Sequence, residues 1–254
     1  MATPATWSEL ARWREALRGE RYDVVIDAQG LIKSAVIASV ALGRKHGLDA
    51  ASAREALAAR FYDVRHHVAR AQHAVERNRQ LFGSALGYHV RGEADYGLQA
   101  RDAPTARDSS DSPEVYFLHS TTSADKHWPE SRWIELGRAL CARGLRVVLP
   151  WGDSAGAQRS ERIAAALSLC RVPRALGIDE LAWSLRGAHA VVGVDTGLSH
   201  LAAALGAPVI GLYCATSPAL TGIHGAPRAR NLGGRGTPPS AQAVLEALAE
   251  LGVC

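Results

Sequence analysis

The sequence predicts an α/β fold built from parallel sheets with helices on both faces. Short β-branched runs alternate with amphipathic helical patterns after residue 113, and this alternation is typical of parallel sheets. The run at residues 190–194 leads through Asp-Thr-Gly into an apolar helical pattern, which is the strand-turn-helix unit of such folds. Ligands of these sheets bind where the carboxyl ends of the strands meet the helix starts. We therefore expect the functional residues in the loops that follow the strands.

The predicted elements fall into two groups, separated by a segment without periodicity at residues 88–113. The first group comprises a helix (6–18), a strand (22–28), a helix (31–42), a loop or short strand (43–49) and helices near 52–60 and 65–86. The second comprises strands at 114–119, 145–150, 190–194 and 207–213 and helices at 129–143, 155–167, 179–186, 197–205 and 239–251. Residues 107–113 are polar and rich in helix breakers, so we predict domains at 1–106 and 107–254.

Composition limits the class of protein. The chain has 254 residues, of which 47% are hydrophobic and 21% charged, and this is ordinary globular usage. Its four cysteines form no CxxC pair, so we expect reduced thiols and a cytosolic location. The longest apolar run, residues 201–215, is too short and too interrupted to span a bilayer, and no secretory signal is expected.

Basic charge is concentrated between residues 44 and 79, a segment that contains eight basic residues and four acidic ones. On the predicted helix 65–86, four of the basic and imidazole side chains fall at offsets of 0, 4, 7 and 11 and would share one face: His66, Arg70, His73 and Arg77. Two interpretations stay open, a solvated basic face or a binding site for a carboxylate or phosphate. Nucleic-acid binding is disfavoured because no aromatic residues are interleaved with these charges.

The joint at residues 194–200, VDTGLSH, has the features of an anion site. Gly197 would let a ligand approach the backbone, where the free N–H groups and the dipole of a helix start favour phosphate. Asp195 suits a helix N-cap whose carboxylate also accepts from sugar hydroxyls, and His200 lies about one turn along. The alternative is an ordinary capped helix with a surface histidine.

A second loop, residues 119–129, follows a predicted strand and aims at the same sheet edge. It carries four hydroxyls at residues 120–123, then Lys126, and a helix start marked by Pro129. Hydroxyl donors, an ammonium and a helix start together suit a diphosphate without a metal. The alternative is a capped loop with an exposed lysine. Residues 150–153 would wall the cavity, and residues 172–178 would offer an apolar surface to a base.

Five segments together resemble the lipopolysaccharide heptosyltransferase I family. They are YDVVIDAQGLIKSA, HHVARAQHAVERNRQLFGSALGY, LHSTTSADKHWPESRW, VVLPWG and VVGVDTGLSHLAAALGAPVIGLY. The similarity covers nearly the whole chain, whereas VDTGLSH alone indicates only the wider heptosyltransferase family. It implies the GT-B fold, two Rossmann-like domains facing across a cleft. It also implies heptose transfer from ADP-heptose to a Kdo residue of lipid A, with inversion and without a metal or other cofactor.

The resemblance assigns roles to residues in both predicted domains. As catalytic groups, Lys126 would stabilise the leaving diphosphate and Asp195 would offset positive charge on the sugar ring. The donor-binding residues would be Thr121, Thr122, Lys126, Asp195, Thr196, Gly197 and His200. Those facing the anionic acceptor would be Lys33, His66, Arg70, His73 and Arg77.

The chain departs from the family pattern at its start. Family members begin with a strand and a Gly-Asp loop whose aspartate resembles a general base, and nothing before Tyr22 is predicted to form them. We therefore expect an incomplete N-terminal domain and a chain that keeps the donor site without the base, at a cost of roughly 10²–10⁴ in rate.

Other interpretations remain open at this stage. They are another heptosyltransferase or a nucleotide-sugar epimerase of the same fold, and a non-catalytic binder of ADP-sugar or lipid A. If the resemblance holds, the protein would rest peripherally on the anionic inner face of the inner membrane and would not bind nucleic acid.

Overall fold

The chain forms two compact units, Met1–Gly92 and Glu93–Cys254. The computed structural model describes residues 4–98 and 112–254. The boundary predicted between residues 106 and 107 lies outside the described residues. No helix in the described ranges combines the length and apolarity that a membrane span requires.

The first unit is a three-stranded parallel sheet, ordered β1-β2-β3, with helices packed against it. Its elements are α1 (Pro4–Arg18), β1 (Arg21–Asp27), α2 (Ile32–Val40), β2 (Leu42–Leu48), a 3-10 helix (Ala56–Phe61), β3 (Val64–His66) and α3 (Ala74–Leu86). The strand-to-helix unit predicted at residues 22–42 is present. The segment at residues 43–49 is a strand because it pairs with β1 on one side and β3 on the other.

The helix predicted over residues 65–86 is wrong in its first third. Val64–His66 forms β3, which pairs in register with His46–Leu48 of β2. Val68 is buried, and its amide donates to Ser52 Oγ at 2.9 Å, so this stretch is held by tertiary contacts. The helix starts only at Ala74, where the His73 side chain caps it. Strand pairing and burial therefore override the helical spacing of the sequence.

The turn after β1 is fixed by a buried carboxylate. Asp27 is 6% exposed and accepts hydrogen bonds from Tyr62 Oη at 2.6 Å and Ser34 Oγ at 2.8 Å. Its other oxygen accepts from the amides of Gln29 and Gly30. With every one of these donors paired, the turn leading into α2 has one defined conformation.

The second unit contains a six-stranded, fully parallel sheet in the order β6-β5-β4-β7-β8-β9. Its strands are β4 (Glu114–Leu118), β5 (Arg146–Val148), β6 (Cys170–Arg171), β7 (Ala190–Val194), β8 (Val209–Tyr213) and β9 (Ala229–Gly233). Its helices are a 3-10 turn (Ala124–Lys126), α4 (Glu130–Cys141), α5 (Ser154–Ala164), α6 (Ile178–Arg186), α7 (Gly197–Ala204), α8 (Pro218–Thr221) and α9 (Ala241–Glu250).

The sheet of the second unit is buried on both faces. Phe117 packs with Trp133 of α4, their ring centroids 4.7 Å apart, while its neighbour Tyr116 packs with Leu185 of α6 on the opposite face. This alternation follows from the two-residue period of a strand. The connections run outward from β4 through β5 and β6 and, on the other side, from β7 through β8 and β9. The strand order therefore reverses between β4 and β7, which is where such sheets open a ligand crevice.

Candidate functional site

A cavity of about 610 Å³ lies at the carboxyl edge of the second sheet, at the point where the strand order reverses. Segments that follow β4, β5 and β7 form its walls, together with the start of α6. The lining residues are Leu118, His119, Ser120, Thr121, Thr122, Lys126, Pro150, Trp151, Gly152, Asp153, Leu176, Ile178, Leu181, Asp195, Thr196, Gly197, Leu198 and His200. All seven residues predicted for the donor site therefore lie around one cavity.

The β7–α7 joint has the conformation expected for an anion site. All five residues of β7 are buried, and Ser199 Oγ donates to the Val194 carbonyl at 2.8 Å, tying the first turn of α7 to the strand end. Gly197 is exposed, and a Cβ built on it would meet no atom within 4 Å. The space in front of the free amides at the helix start is thus open to a ligand.

Asp195 is not the N-cap that the sequence predicted. Thr196 holds that position, with φ −144° and ψ 155°. The Asp195 carboxylate is engaged elsewhere, because Lys126 Nζ lies 2.9 Å from Oδ2 and Thr216 Oγ1 donates to the same oxygen at 2.7 Å. Asp195 is 9% exposed. A nearly buried carboxylate held by an ammonium and a hydroxyl is a preorganised electrostatic site.

His200 lies on α7 beside this ion pair. Burial is the largest effect on it and lowers its pKa, while the Asp195 carboxylate raises the pKa and the Lys126 ammonium lowers it. The imidazole is consequently neutral at pH 7 and can both donate and accept a hydrogen bond.

The four hydroxyls after β4 are not equivalent. Ser123 Oγ donates to Asp125, and Ser120 Oγ is bonded to His119. Thr121 and Thr122 line the cavity, and their hydroxyls make no hydrogen bond to the described residues. Of the four, these two are the ones available to donate to an anionic ligand.

The opposite wall of the cavity combines an aromatic ring with apolar side chains. Trp151 is held in place by a hydrogen bond from Nε1 to the Pro173 carbonyl at 2.9 Å. Leu176 and Ile178 also line the cavity, and Ile178 is 60% exposed. Both lie within residues 172–178, the segment predicted to face a base, and that role stays a prediction.

The basic residues predicted to face an acceptor lie in the first unit, but on several elements. His66 ends β3, His73 caps α3, Arg77 lies within α3 and Arg70 lies in the turn between them. Their stacking on one helical face was therefore a wrong expectation. Lys33 is exposed on α2, and in the described part of the chain it forms no hydrogen bond or ion pair with the other four.

Three arginines of the first unit, Arg54, Arg70 and Arg77, nevertheless lie close enough for their charges to interact. Burial lowers the pKa of Arg77, and the charges of Arg70 and Arg54 lower it further. Arg77 Nη2 donates to the Ser52 carbonyl at 2.7 Å, whereas its buried Nε has no partner among the described residues. Like charges held together with an unpaired donor favour an anion.

Two histidines of the first unit, His46 and His66, stack on each other. His46 Nδ1 and His66 Nε2 lie 3.0 Å apart, and the ring centroids are separated by 5.2 Å. Burial, then the neighbouring His46, lowers the pKa of His66. Among residues 4–98 and 112–254, no group of three or more His, Cys, Asp or Glu side chains is arranged to hold a metal ion.

Comparison with known proteins decides the family. Residues 10–246 match the profile of glycosyltransferase family 9 (heptosyltransferase). The chain belongs to this family. The predicted resemblance and the heptosyltransferase activity class are thereby confirmed.

Individual members of the family are closely similar. Lipopolysaccharide heptosyltransferase 1 of Escherichia coli K12 is 44% identical over 255 residues, which cover 96% of this chain and 77% of the relative. The corresponding protein of Pseudomonas aeruginosa PAO1 is 47% identical over 219 residues, covering 85% and 61%. The structure of E. coli heptosyltransferase WaaC with ADP aligns with a TM-score of 0.85 and 39% identity, covering 98% of this chain and 79% of WaaC. The predicted GT-B class is confirmed by this match.

In this family 9 glycosyltransferase, Thr216 contacts the site through Asp195 and was not predicted from the sequence. It lies three residues after β8 and belongs to none of the motifs that resemble the family. Its position after a strand end, at the edge where the cavity lies, is the signal that would have identified it.

Proposed function

We propose that this heptosyltransferase moves L-glycero-D-manno-heptose from ADP-heptose to a Kdo residue of lipid A. The observation that carries the proposal is the Lys126–Asp195 pair, which lies beside the open start of α7 in one cavity. A lysine and free helix amides are the groups that stabilise a leaving diphosphate without a metal. Solved E. coli WaaC structures contain ADP and ADP-2-deoxy-2-fluoro heptose, which supports the donor.

The donor side of the reaction follows from charge. The oxygen of an acceptor hydroxyl attacks the anomeric carbon from the face opposite the diphosphate while the bond from that carbon to the diphosphate oxygen breaks. The configuration therefore inverts, ADP leaves with the bonding electron pair, and the hydroxyl proton is released to solvent. Negative charge grows on the diphosphate, where Lys126, Thr121, Thr122 and the amide of Gly197 are in reach of one ligand. Positive charge grows on the sugar ring, where the Asp195 carboxylate offsets it.

For the acceptor we propose the basic residues of the first unit, Lys33, His66, Arg70, His73 and Arg77. The support is the convergence of Arg54, Arg70 and Arg77 and the unpaired Nε of Arg77. Kdo and the phosphates of lipid A are anionic, and guanidinium groups bind carboxylate and phosphate in a bidentate manner. Contact with the anionic cytoplasmic face of the inner membrane would bring the enzyme to this lipid.

A transfer assay tests the proposal. The chain is incubated at high enzyme concentration with ADP-heptose and Kdo-lipid A, and the lipid product is detected by mass spectrometry. We expect one heptose to be added, with release of one ADP. Saturable ADP binding without any product would instead identify a non-catalytic binder. A parallel incubation contains an acceptor without Kdo, and transfer to that acceptor alone would identify another heptosyltransferase activity.

The acceptor assignment has its own test. Arg70→Ala removes an exposed guanidinium, and we expect the KM for Kdo-lipid A to rise by about 10-fold while the Kd of ADP stays constant. Arg143→Ala, on the surface of the second unit, is the matched control. An unchanged KM in Arg70→Ala would contradict the assignment.

A further inference from the structure

A buried hydrogen-bonded chain lies directly behind the donor cavity. His119 follows β4 and Ser160 belongs to α5, and both are fully buried. His119 Nε2 lies 2.9 Å from Ser160 Oγ, and His119 Nδ1 lies 2.9 Å from Ser120 Oγ. Ser120 is partly exposed and lines the cavity. These hydrogen bonds therefore connect buried Ser160, through His119, to Ser120 in the cavity wall.

The position of each proton in this chain is determined by the Leu149 carbonyl. Ser160 Oγ lies 3.1 Å from that oxygen, and a carbonyl can only accept. Ser160 must therefore give its single hydroxyl proton to Leu149. Its oxygen then accepts from His119, so the Nε2 atom of His119 carries a hydrogen.

His119 is neutral, which determines the other end of the chain. Burial, followed by the charges of Arg159 and His127, lowers the pKa of His119 to about 4. A neutral imidazole has one N–H group, and here it is on Nε2. Nδ1 is consequently an acceptor, and the Ser120 hydroxyl donates its proton to it.

Ser120 is thus left with lone pairs only on the side that faces the cavity. Phosphate oxygens at neutral pH are acceptors, so they repel this oxygen, whereas a ligand hydroxyl can donate to it. The sequence pattern predicts that the Ser120 hydroxyl donates to a diphosphate. The hydrogen-bond geometry contradicts that role, because the proton is donated to His119. Thr121 and Thr122, whose hydroxyls are uncommitted in the described part of the chain, keep that role.

We propose that Ser120 is a specificity residue that accepts a hydrogen bond from a sugar hydroxyl of the donor, on either its ribose or its heptose. His119 and Ser160 act as positioning residues, because they fix the direction of the Ser120 proton. The inference rests on the proposed function, since it takes ADP-heptose as the occupant of the cavity.

The test compares ligand affinities of the full chain by calorimetry. The variants are Ser120→Ala and, as matched control, Ser123→Ala, whose hydroxyl is engaged by Asp125 and does not line the cavity. The ligands are ADP, ADP-heptose, 2′-deoxy-ADP and 3′-deoxy-ADP. Loss of one hydrogen bond is expected to raise a Kd by roughly 3- to 10-fold.

Two results support the proposal. If Ser120→Ala weakens ADP-heptose but not ADP, the partner is a heptose hydroxyl. If it weakens ADP and this effect disappears with one of the deoxy-ADP analogues, the partner is a ribose hydroxyl. The proposal is overturned if neither ligand is weakened beyond the Ser123→Ala control, or if the loss for ADP persists with both analogues. Failure of the wild-type chain to bind ADP would refute the proposed function itself.

The positioning role of His119 is tested by a double-mutant cycle. His119→Gln can still donate an amide hydrogen to Ser160, but it has carbon in place of the acceptor Nδ1 that faces Ser120. We expect it to weaken the same ligand by roughly 3- to 10-fold and to add nothing in a Ser120→Ala background. Additive losses in the double variant would show that His119 does not act through Ser120.

Discussion

The ammonium of Lys126 lies 2.9 Å from Oδ2 of Asp195, in a cavity that also opens onto the first turn of α7. The lysine comes from the loop after β4 and the aspartate from the end of β7, which are adjacent strands. Because parallel strands end at the same sheet edge, two residues 69 positions apart in the chain form one electrostatic site.

The two members of this pair are expected to affect ADP binding in opposite directions. Lys126→Met removes the charge that faces the diphosphate, and the Kd of ADP should rise by about 10- to 100-fold. Asp195→Asn removes a carboxylate that competes for the ammonium, so the Kd should stay constant or fall. Calorimetric titration measures both, with Arg235→Met, outside the cavity, as the charge-matched control. An equal rise in Kd for both variants would contradict this division of roles.

Thr216→Val should loosen the site without removing a charge. Thr216 Oγ1 donates to Asp195 at 2.7 Å, so its loss frees the carboxylate to rotate. We expect the Kd of ADP-heptose to rise by about 3- to 10-fold, with no change in the oligomeric state or the melting temperature of the protein. The control is Thr221→Val, because among the described residues the Thr221 hydroxyl donates only to the carbonyl of Ser217 in its own turn. A Thr216→Val affinity equal to that of the control would show that the carboxylate does not need this support.

Substitutions at two glycines near the cavity, Gly193 and Gly197, are expected to have different effects on stability and on ligand affinity. A Cβ at Gly193 would collide with the side chain of Ser199, which ties α7 to β7. Gly193→Ala should therefore lower the unfolding free energy by about 1–3 kcal/mol. Gly197→Ala meets no protein atom, so its stability should change by less than about 0.5 kcal/mol.

The variants at Gly193 and Gly197 also test where the ligand lies. A methyl group on Gly197 occupies the space from which a diphosphate would reach the helix amides, so ADP should bind roughly 10-fold or more weakly. Thermal unfolding and ADP titration of both variants provide the measurement. Wild-type ADP affinity in a stable Gly197→Ala protein would mean that the phosphates do not lie against α7.

Stability should depend on pH through His119. Its folded pKa of about 4 lies below the unfolded value of 6.5, so below pH 6.5 the unfolded chain takes up a proton that the folded chain excludes. The stabilisation is complete above pH 6.5 and falls by about 3 kcal/mol as the pH drops through 4. Since glutamine does not titrate, the difference in unfolding free energy between the wild type and His119→Gln should shrink over this range.

Urea unfolding followed by tryptophan fluorescence measures this difference. Four of the six tryptophans, Trp128, Trp133, Trp151 and Trp183, belong to the second unit that contains His119. A difference that is independent of pH would show that His119 is protonated to the same extent in both states.

Local patterns were enough to predict which residues line the cavity, because these residues lie in strand-turn-helix joints that hydrophobic periodicity and helix breakers identify. The strand at Ala190–Val194 and the helix after Gly197 could be recognised from hydrophobic periodicity and a breaker. Thr216 and the buried partners of His119 could not, because their roles come from contacts between distant segments. The helix predicted across His66 failed for the same reason, since pairing with β2 outweighs a local helical spacing.

The most direct measurement is a crystal structure of this protein with ADP. We predict that Lys126 Nζ and the backbone amide of Gly197 both lie within about 3.2 Å of oxygens of the same diphosphate. A diphosphate that contacts only one of these two groups, or that binds outside the cavity between β4 and β7, would contradict it.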